Sequence, residues 1–288
     1  MNKNNSNRKI GLVLDGGGAK GAYHIGVFKA LKELDIIQYI NTISGASVGA
    51  LNACLFSIYN LNSKIAENIW LNEVEDKILT LNYNNVINSL FEIRKNYIKN
   101  AVNEIISDFL NDDNILFIPF INFLSTSAIF SRDGIMEIMD KYLYEETIKK
   151  MNIYVSCTNI DNLKPYYFKL NNYSLKTIKK ILLASSAIPA VFPPENIEGI
   201  LYIDGGISDN SPIRALKNNK FTDIIVVHLK RNSNSNILKN KLDNNLNVYE
   251  LYPQKNLGNF FEGTLNFSSN FIKKCMHQGY IDALTLLK

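Results

Sequence analysis

The sequence predicts an α/β protein, and three features carry that prediction. Two short apolar runs, Ile10–Leu14 and Tyr39–Ile43, each pass through glycine into an amphipathic stretch, as a buried strand does when it turns into a helix. A third run, Leu201-Tyr202-Ile203, ends in Asp204-Gly205-Gly206. A fourth, Ile224–Leu229, has the continuous apolar character of a parallel strand covered on both faces. In such folds ligands collect at the carboxyl ends of strands, so the glycine-bearing turns are where chemistry is expected.

Taken in order, Asp15 and three glycines end the first strand, and Ala22, Ile25, Val27, Phe28 and Leu31 then recur at helical spacing as far as Leu34. Beyond Ser47 a second helix carries the small residues Ala50 and Ala53, which permit close packing on a sheet. From Ser63 to Asp112 the pattern is helical, and it reads as a cap inserted over residues of about 63–130. Ile115 to Leu124 is an apolar segment broken by Pro119, read as buried cap core, with a lipid-touching surface as the alternative. Asn152–Cys157 and Tyr166–Leu170 read as a hairpin around Asp161, Asn162 and Pro165. A helix from Ser174 runs toward Ala184–Ile188 and is stopped by prolines. Pro212 fits the first turn of another helix, capped by Asn210 or Ser211. Asn232–Asn247 reads as a surface loop and Ser268–Leu287 as a closing helix.

Composition narrows the functional classes. At 288 residues the chain is long for one domain, yet sheet-centred units reach this length; we expect a polar tail over residues 1–8 and one domain over 9–288. A composition that is 46% hydrophobic and 20% charged excludes a disordered chain. The net charge of +4 is mild and its Lys and Arg are scattered, which leaves no nucleic-acid footprint, although weak attraction to anionic lipid stays open. Cys54, Cys157 and Cys275 are odd in number and far apart, which argues against a disulfide framework. The N-terminus lacks the apolar core of a secretory signal, and no stretch reaches the roughly 18 apolar residues of a membrane span. The expectation is a cytoplasmic or peripheral membrane protein, with signal-independent export left open and oligomeric state undetermined.

A serine hydroxyl is a weak nucleophile and must be exposed, oriented and relieved of its proton. Gly45-Ala46-Ser47-Val48-Gly49 achieves the exposure: glycines two residues to either side permit a tight strand-to-helix turn with the hydroxyl at the helix start. Gly16, Gly17 and Gly18 can present bare backbone amides to an oxyanion. Gly16, Gly18 and Gly21 also satisfy a dinucleotide fingerprint, but the second strand ends in Ser44-Gly45 rather than an acid. Asp204 at a strand tip is the candidate base. Three histidines compete for that role: His24, His277 and His228, of which only His228 completes the chain order of a Ser-Asp-His triad.

On these residues the chain resembles the patatin-like phospholipase family. The resemblance rests on Asp15-Gly16-Gly17-Gly18-Ala19-Lys20-Gly21, the serine turn around Ser47, Asp204-Gly205-Gly206, and Ala184 to Pro194, which is similar to the family's Ala-Ser-x-Ala-x-Pro-x-x-Phe-x-Pro stretch. It implies a three-layer α/β/α fold with a central, mostly parallel sheet and a helical cap. It also implies a Ser47–Asp204 dyad that hydrolyses lipid acyl esters without a metal or other cofactor, with Gly16, Gly17 and Gly18 as the oxyanion hole. Lys20, Gly21, Gly45, Gly49, Gly205 and Gly206 support those motifs. Lys20 stands where the family often has Arg, and is read either as a positive charge beside the oxyanion loop or as a solvated helix residue. The implied substrate is a phospholipid, galactolipid or neutral glyceride, met through peripheral membrane contact. A thioesterase or small-ester hydrolase with the same dyad, a triad esterase using His228, and a membrane-binding module with an inactive site are the alternatives.

Overall fold

The computed structural model describes residues 8–61, 63–79, 130–189, 191–217, 219–231 and 246–288. Its centre is an eight-stranded sheet: β1 (Ile10–Leu14), β2 (Ile40–Ala46), β3 (Asn152–Asn159), β4 (Pro165–Lys169), β5 (Glu195–Ile197), β6 (Ile200–Asp204), β7 (Asp223–Val227) and β8 (Asn247–Leu251). The order is β5-β6-β3-β2-β1-β7-β8, with β4 also paired to β3. β3, β2, β1, β7 and β8 run parallel, while β4, β5 and β6 are antiparallel additions at one side. The helices of six or more residues among those described are α1 (Ala22–Glu33), α2 (Val48–Leu61), α3 (Ser63–Asn68), α4 (Asp133–Tyr142), α5 (Leu175–Ser185) and α6 (Ser269–Leu287).

Both faces of the sheet are covered, which explains why its central strands read as unbroken apolar runs. Ile10, Leu12 and Leu14 face the large core with Phe28, Leu31 and Phe56 of α1 and α2. Val13 points the other way, with Ile224 and Val226, and is closed off by Ile213 and Leu216. α6 lies against α1 so closely that a Cβ on Gly26 would stand 1.8 Å from the Met276 carbonyl oxygen.

The sheet register brings two strand ends together. β4 occupies one edge of β3 over Tyr154–Thr158, so β6 meets β3 on the edge that β2 has just left. Ala46 at the end of β2 pairs with Ser156, and Asp204 at the end of β6 pairs with Cys157, the next residue along. The residue after Ala46 and the last residue of β6 therefore converge.

Several expected elements differ in detail. β2 begins at Ile40 and runs on to Ala46, because Ile37–Tyr39 forms a 3-10 turn. The helix expected at Pro212 is only a 3-10 turn, Ile213–Leu216, and Asn210 and Ser211 do not cap it: their side chains bond instead to Gly16 and Asp15. β7 stops at Val227, which puts His228 just past the strand rather than inside it. The β5–β6 hairpin was not expected from the sequence; its turn, Glu198-Gly199, has positive φ at both residues (53° and 89°), the geometry of a tight two-residue hairpin loop. β8 was not expected either, since it follows the Asn-rich stretch, of which residues 232–245 lie outside those described.

Of the expected cap, α3 and a π-helical turn at Ile69–Glu73 are described; residues 80–129, including the apolar segment 115–124, lie outside. The chain leaves and returns at one place. A Cβ on Gly134 of α4 would lie 1.8 Å from the Lys77 carbonyl oxygen, and Glu73 is paired with both Lys77 and Lys141.

Candidate active site

Ser47 links β2 to α2 with φ +53°, a left-handed conformation rare for a residue with a side chain. The turn is possible because backbones meet where a Cβ would not fit. One on Gly45 would lie 2.4 Å from the Gly49 backbone carbon, and one on Gly49 would lie 2.2 Å from the Leu14 carbonyl oxygen. The Ser47 carbonyl accepts the first helical bonds of α2 from Ala50 and Leu51, so the residue stands at the positive end of the helix dipole. Its own amide donates to Ser185 Oγ at 2.9 Å, and that hydroxyl donates to the Ser156 carbonyl at 2.7 Å.

Asp204 is 5% exposed. Its Oδ1 accepts the Gly206 amide at 2.7 Å, while Oδ2 is buried and meets no donor in full hydrogen-bonding geometry among the described residues. Burial pushes its pKa up to about 6, against the downward pull of the Ser47 hydroxyl, the Gly206 amide and the Arg132 charge. Ser47 is thus close enough to act on the carboxylate without occupying Oδ2 in a finished bond. Such contacts are commonly long before substrate enters.

The glycine loop lies against the same point. A Cβ on Gly16 would lie 3.0 Å from Ser47 Cβ. Gly16 N–H donates to Asn210 Oδ1 at 3.1 Å, which commits that amide to the protein. Gly17 precedes the 3-10 turn Gly18–Gly21, and Gly18 has φ +55° and sits against the Thr264 carbonyl oxygen. A Cβ on Gly206 would also meet Asn210 Oδ1, at 2.6 Å, so this amide side chain sits between the first and third glycine segments.

Asp15 anchors the base of the loop, with Oδ1 accepting from Ser211 Oγ and Oδ2 lying 3.0 Å from His228 Nδ1. His228 Nε2 faces Glu250 at 3.5 Å, and its ring stacks on Tyr252 at 4.4 Å. Burial opposes a charge on His228, but Asp15 and Glu250 outweigh it and raise its pKa. The other histidines are elsewhere. His24 is buried 3.2 Å from Asn52 Nδ2 and burial lowers its pKa to about 3, so it is neutral; His277 is exposed on α6. Lys20 is only 5% exposed, under Gly263, which excludes the solvated role; burial, then Lys230, lowers its pKa to about 8, with Cys275 opposing.

Ser47 and Gly18 open onto an apolar cavity of about 100 Å³. Its walls come from α2 (Leu51, Leu55), the π-helical turn (Ile69, Trp70), α4 (Ile135, Met139) and the segment Thr264–Phe267. Phe130 rests against Phe192 at 6.4 Å, and Phe192 lines the cavity.

Three residues that sequence reasoning did not assign to the site are Ser185, Asn210 and Arg132. Ser185 falls within the Ala184–Pro194 stretch, so its block was visible though its role was not. Asn210 was visible only as a helix cap. Arg132 gave no signal: its guanidinium donates to the carbonyls of Leu183 (2.8 Å) and Pro193 (3.3 Å) and to Ser186 Oγ (3.2 Å), and lies 4.2 Å from the Phe192 ring centroid.

The chain is similar to several known proteins. A lysophospholipase, NTE1, of Cryptococcus neoformans var. neoformans is 30% identical over 222 residues, covering 76% of this chain and 11% of that protein. Triacylglycerol lipase 4 of Saccharomyces cerevisiae is 26% identical over 238 residues, covering 73% of this chain and 23% of that protein. The chain therefore matches a small part of each relative's length. Among solved structures, VipD from Legionella pneumophila aligns over 97% of this chain and 67% of its own, with TM-score 0.52 and 15% identity, a likeness that bears on the fold alone. Residues 12–217 match the model of the patatin-like phospholipases, a span that takes in the glycine loop, the serine turn and the aspartate segment, and the chain belongs to that family.

Proposed function

We propose that the chain is a lipid acyl hydrolase of the phospholipase A type that works through a Ser47–Asp204 dyad. One observation carries this reading: a strained serine at a helix N-terminus opens onto an almost wholly apolar cavity, with a buried carboxylate beside it. The lysophospholipase and lipase relatives support a lipid ester as substrate. A pKa near 6 also removes the objection that an ordinary carboxylate, at about 3.9, is too weak a base near neutrality.

The acyl chain enters the cavity, and the ester carbonyl oxygen turns toward the amides of Gly17 and Gly18, since that of Gly16 is engaged by Asn210. Ser47 Oγ bonds to the carbonyl carbon as its proton passes to Asp204 Oδ2. The tetrahedral intermediate collapses, the alcohol leaves with that proton, and an acyl-serine remains. Water then adds to the acyl carbon, giving a proton to Asp204. Collapse frees the fatty acid and returns the proton to Ser47. Both nitrogens of His228 face carboxylates other than Asp204, which favours the dyad over a triad.

Phe261, 59% exposed on the turn that leads into the cavity wall at Thr264, gives the lipid surface a place to make peripheral contact. The test is fatty-acid release from phosphatidylcholine vesicles, with acyl thioesters and short esters assayed beside them. Ser47→Ala and Asp204→Asn are each expected to lose about 10³-fold or more in kcat, while folded His228→Asn retains turnover. Undiminished release by Ser47→Ala overturns the proposal, and activity confined to thioesters or short esters replaces the lipid substrate with the alternative.

A further inference from the structure

The Ala184–Pro194 stretch takes no part in the chemistry above, yet it holds both members of the reacting pair. Ser185 Oγ accepts the Ser47 amide and donates to the Ser156 carbonyl, tying the strained nucleophile to β3. Two residues on, the Ala187 carbonyl accepts the Asp204 amide at 3.0 Å. One short segment at the end of α5 therefore grips the backbone of the serine and of the aspartate. Arg132 fastens that segment in turn, through the Leu183 and Pro193 carbonyls and Ser186 Oγ, with Phe192 under its guanidinium plane.

We propose that Ser185–Ala187, fastened by Arg132, is a positioning element that sets the distance between the Ser47 hydroxyl and the Asp204 carboxylate. It rests on the dyad reading. A backbone with positive φ relaxes unless its surroundings hold it, and here the Ser47 amide is held by one buried hydroxyl. Because Arg132 bonds to carbonyls and a hydroxyl, its positive charge is also left to act on Asp204 and on Glu195 of β5. The ionisable groups around Asp204 are Arg132 from the start of α4, Cys157 from β3 and the Ser47 hydroxyl; burial keeps the Cys157 thiol protonated, so Arg132 is the cation among them. Arg132 thus aids both placement and ionisation of the base, whereas Ser185 aids placement only.

Ser185→Ala, Arg132→Met and Arg132→Lys separate these effects when kcat, KM, the rate of Ser47 labelling by a fluorophosphonate and the pH profile are measured on the full chain, with melting temperature as the folding control. Ser185→Ala is expected to lower kcat and the labelling rate in parallel by about tenfold to a hundredfold, with KM within about twofold and the acid limb unmoved. Arg132→Met is expected to lower kcat and move the acid limb upward by about half a unit or more. Arg132→Lys keeps the limb near its original position with kcat still reduced, because an ammonium cannot span the same acceptors; it decides the matter if Arg132→Met does not fold. Folded Ser185→Ala with unchanged kcat, or with a change in KM alone, overturns the proposal, as does an unmoved limb in folded Arg132→Met. A folded parent protein that neither releases fatty acid nor takes label defeats the dyad reading itself, a result distinct from any of these.

Discussion

Ser47 and Asp204 both sit where stability would not put them. A left-handed serine costs on the order of 1–3 kcal/mol, and a carboxylate buried to 5% exposure resists ionisation. The Asp204 pKa, about 6, stands above its unfolded value, so its contribution to stability is present below the ordinary carboxylate range and is lost as pH rises through 6. Asp204→Asn does not titrate. It is therefore expected to melt higher than the parent protein at pH 7.5, by on the order of 2 kcal/mol, with the difference disappearing near pH 4; calorimetry across that range checks the sign. Activity runs the opposite way: kcat/KM is expected to fall as pH drops through about 6, because the base becomes protonated. The turn that carries Ser47 and the strand end that carries Asp204 were legible in the sequence, since exposing a serine and freeing a strand tip require local glycines. The Asp204 pKa was not, because it depends on burial by segments far away in the chain. Asn210 and Arg132 were hidden for the same reason, as their partners are remote backbone groups.

At the level of elements, the parallel centre of the sheet was legible because each of its strands is covered on both faces and ends in glycine or a charged turn. The edge strands were harder to see. β5 has three residues and β8 is half-buried and polar, so neither presents an apolar run. Yet β6 matters most to the proposed dyad, because its register on β3 delivers Asp204 to the end of β2. The serine turn depends on the backbone closeness of β1, β2 and α2, so Gly49→Ala is expected to cost more than about 2 kcal/mol in urea unfolding, since the Leu14 carbonyl oxygen has no room to yield to a Cβ. His228 joins the glycine loop to β8 through Asp15 and Glu250. His228→Asn leaves those carboxylates without a cation between them. It is expected to lower the melting temperature more at pH 6 than at pH 8.5, because a raised His228 pKa contributes stability below the ordinary histidine range that fades as pH rises, while each folded molecule keeps its turnover.

For the whole molecule, the proposed function assigns substrate choice to a cavity whose walls come from widely separated parts of the chain. Met139→Trp narrows it from the α4 side and is expected to shift the preferred acyl length downward in a panel of p-nitrophenyl esters. Phe261→Asp is expected to reduce release from vesicles several-fold while sparing a short soluble ester. Comparable losses on both substrates would assign Phe261 to the cavity instead of the lipid surface. None of the walls was identifiable beforehand, because an apolar side chain that lines a binding space looks in sequence like any other core residue. The two feet of the segment at residues 80–129 have a further consequence. Lys77 against Gly134, with Glu73 bridging to Lys141, ties together the described residues on either side of that segment. Whatever lies between these two points can therefore be exchanged or lengthened across evolution with little disturbance to the proposed dyad, and grafting between relatives there offers a route to new selectivity on an inherited framework.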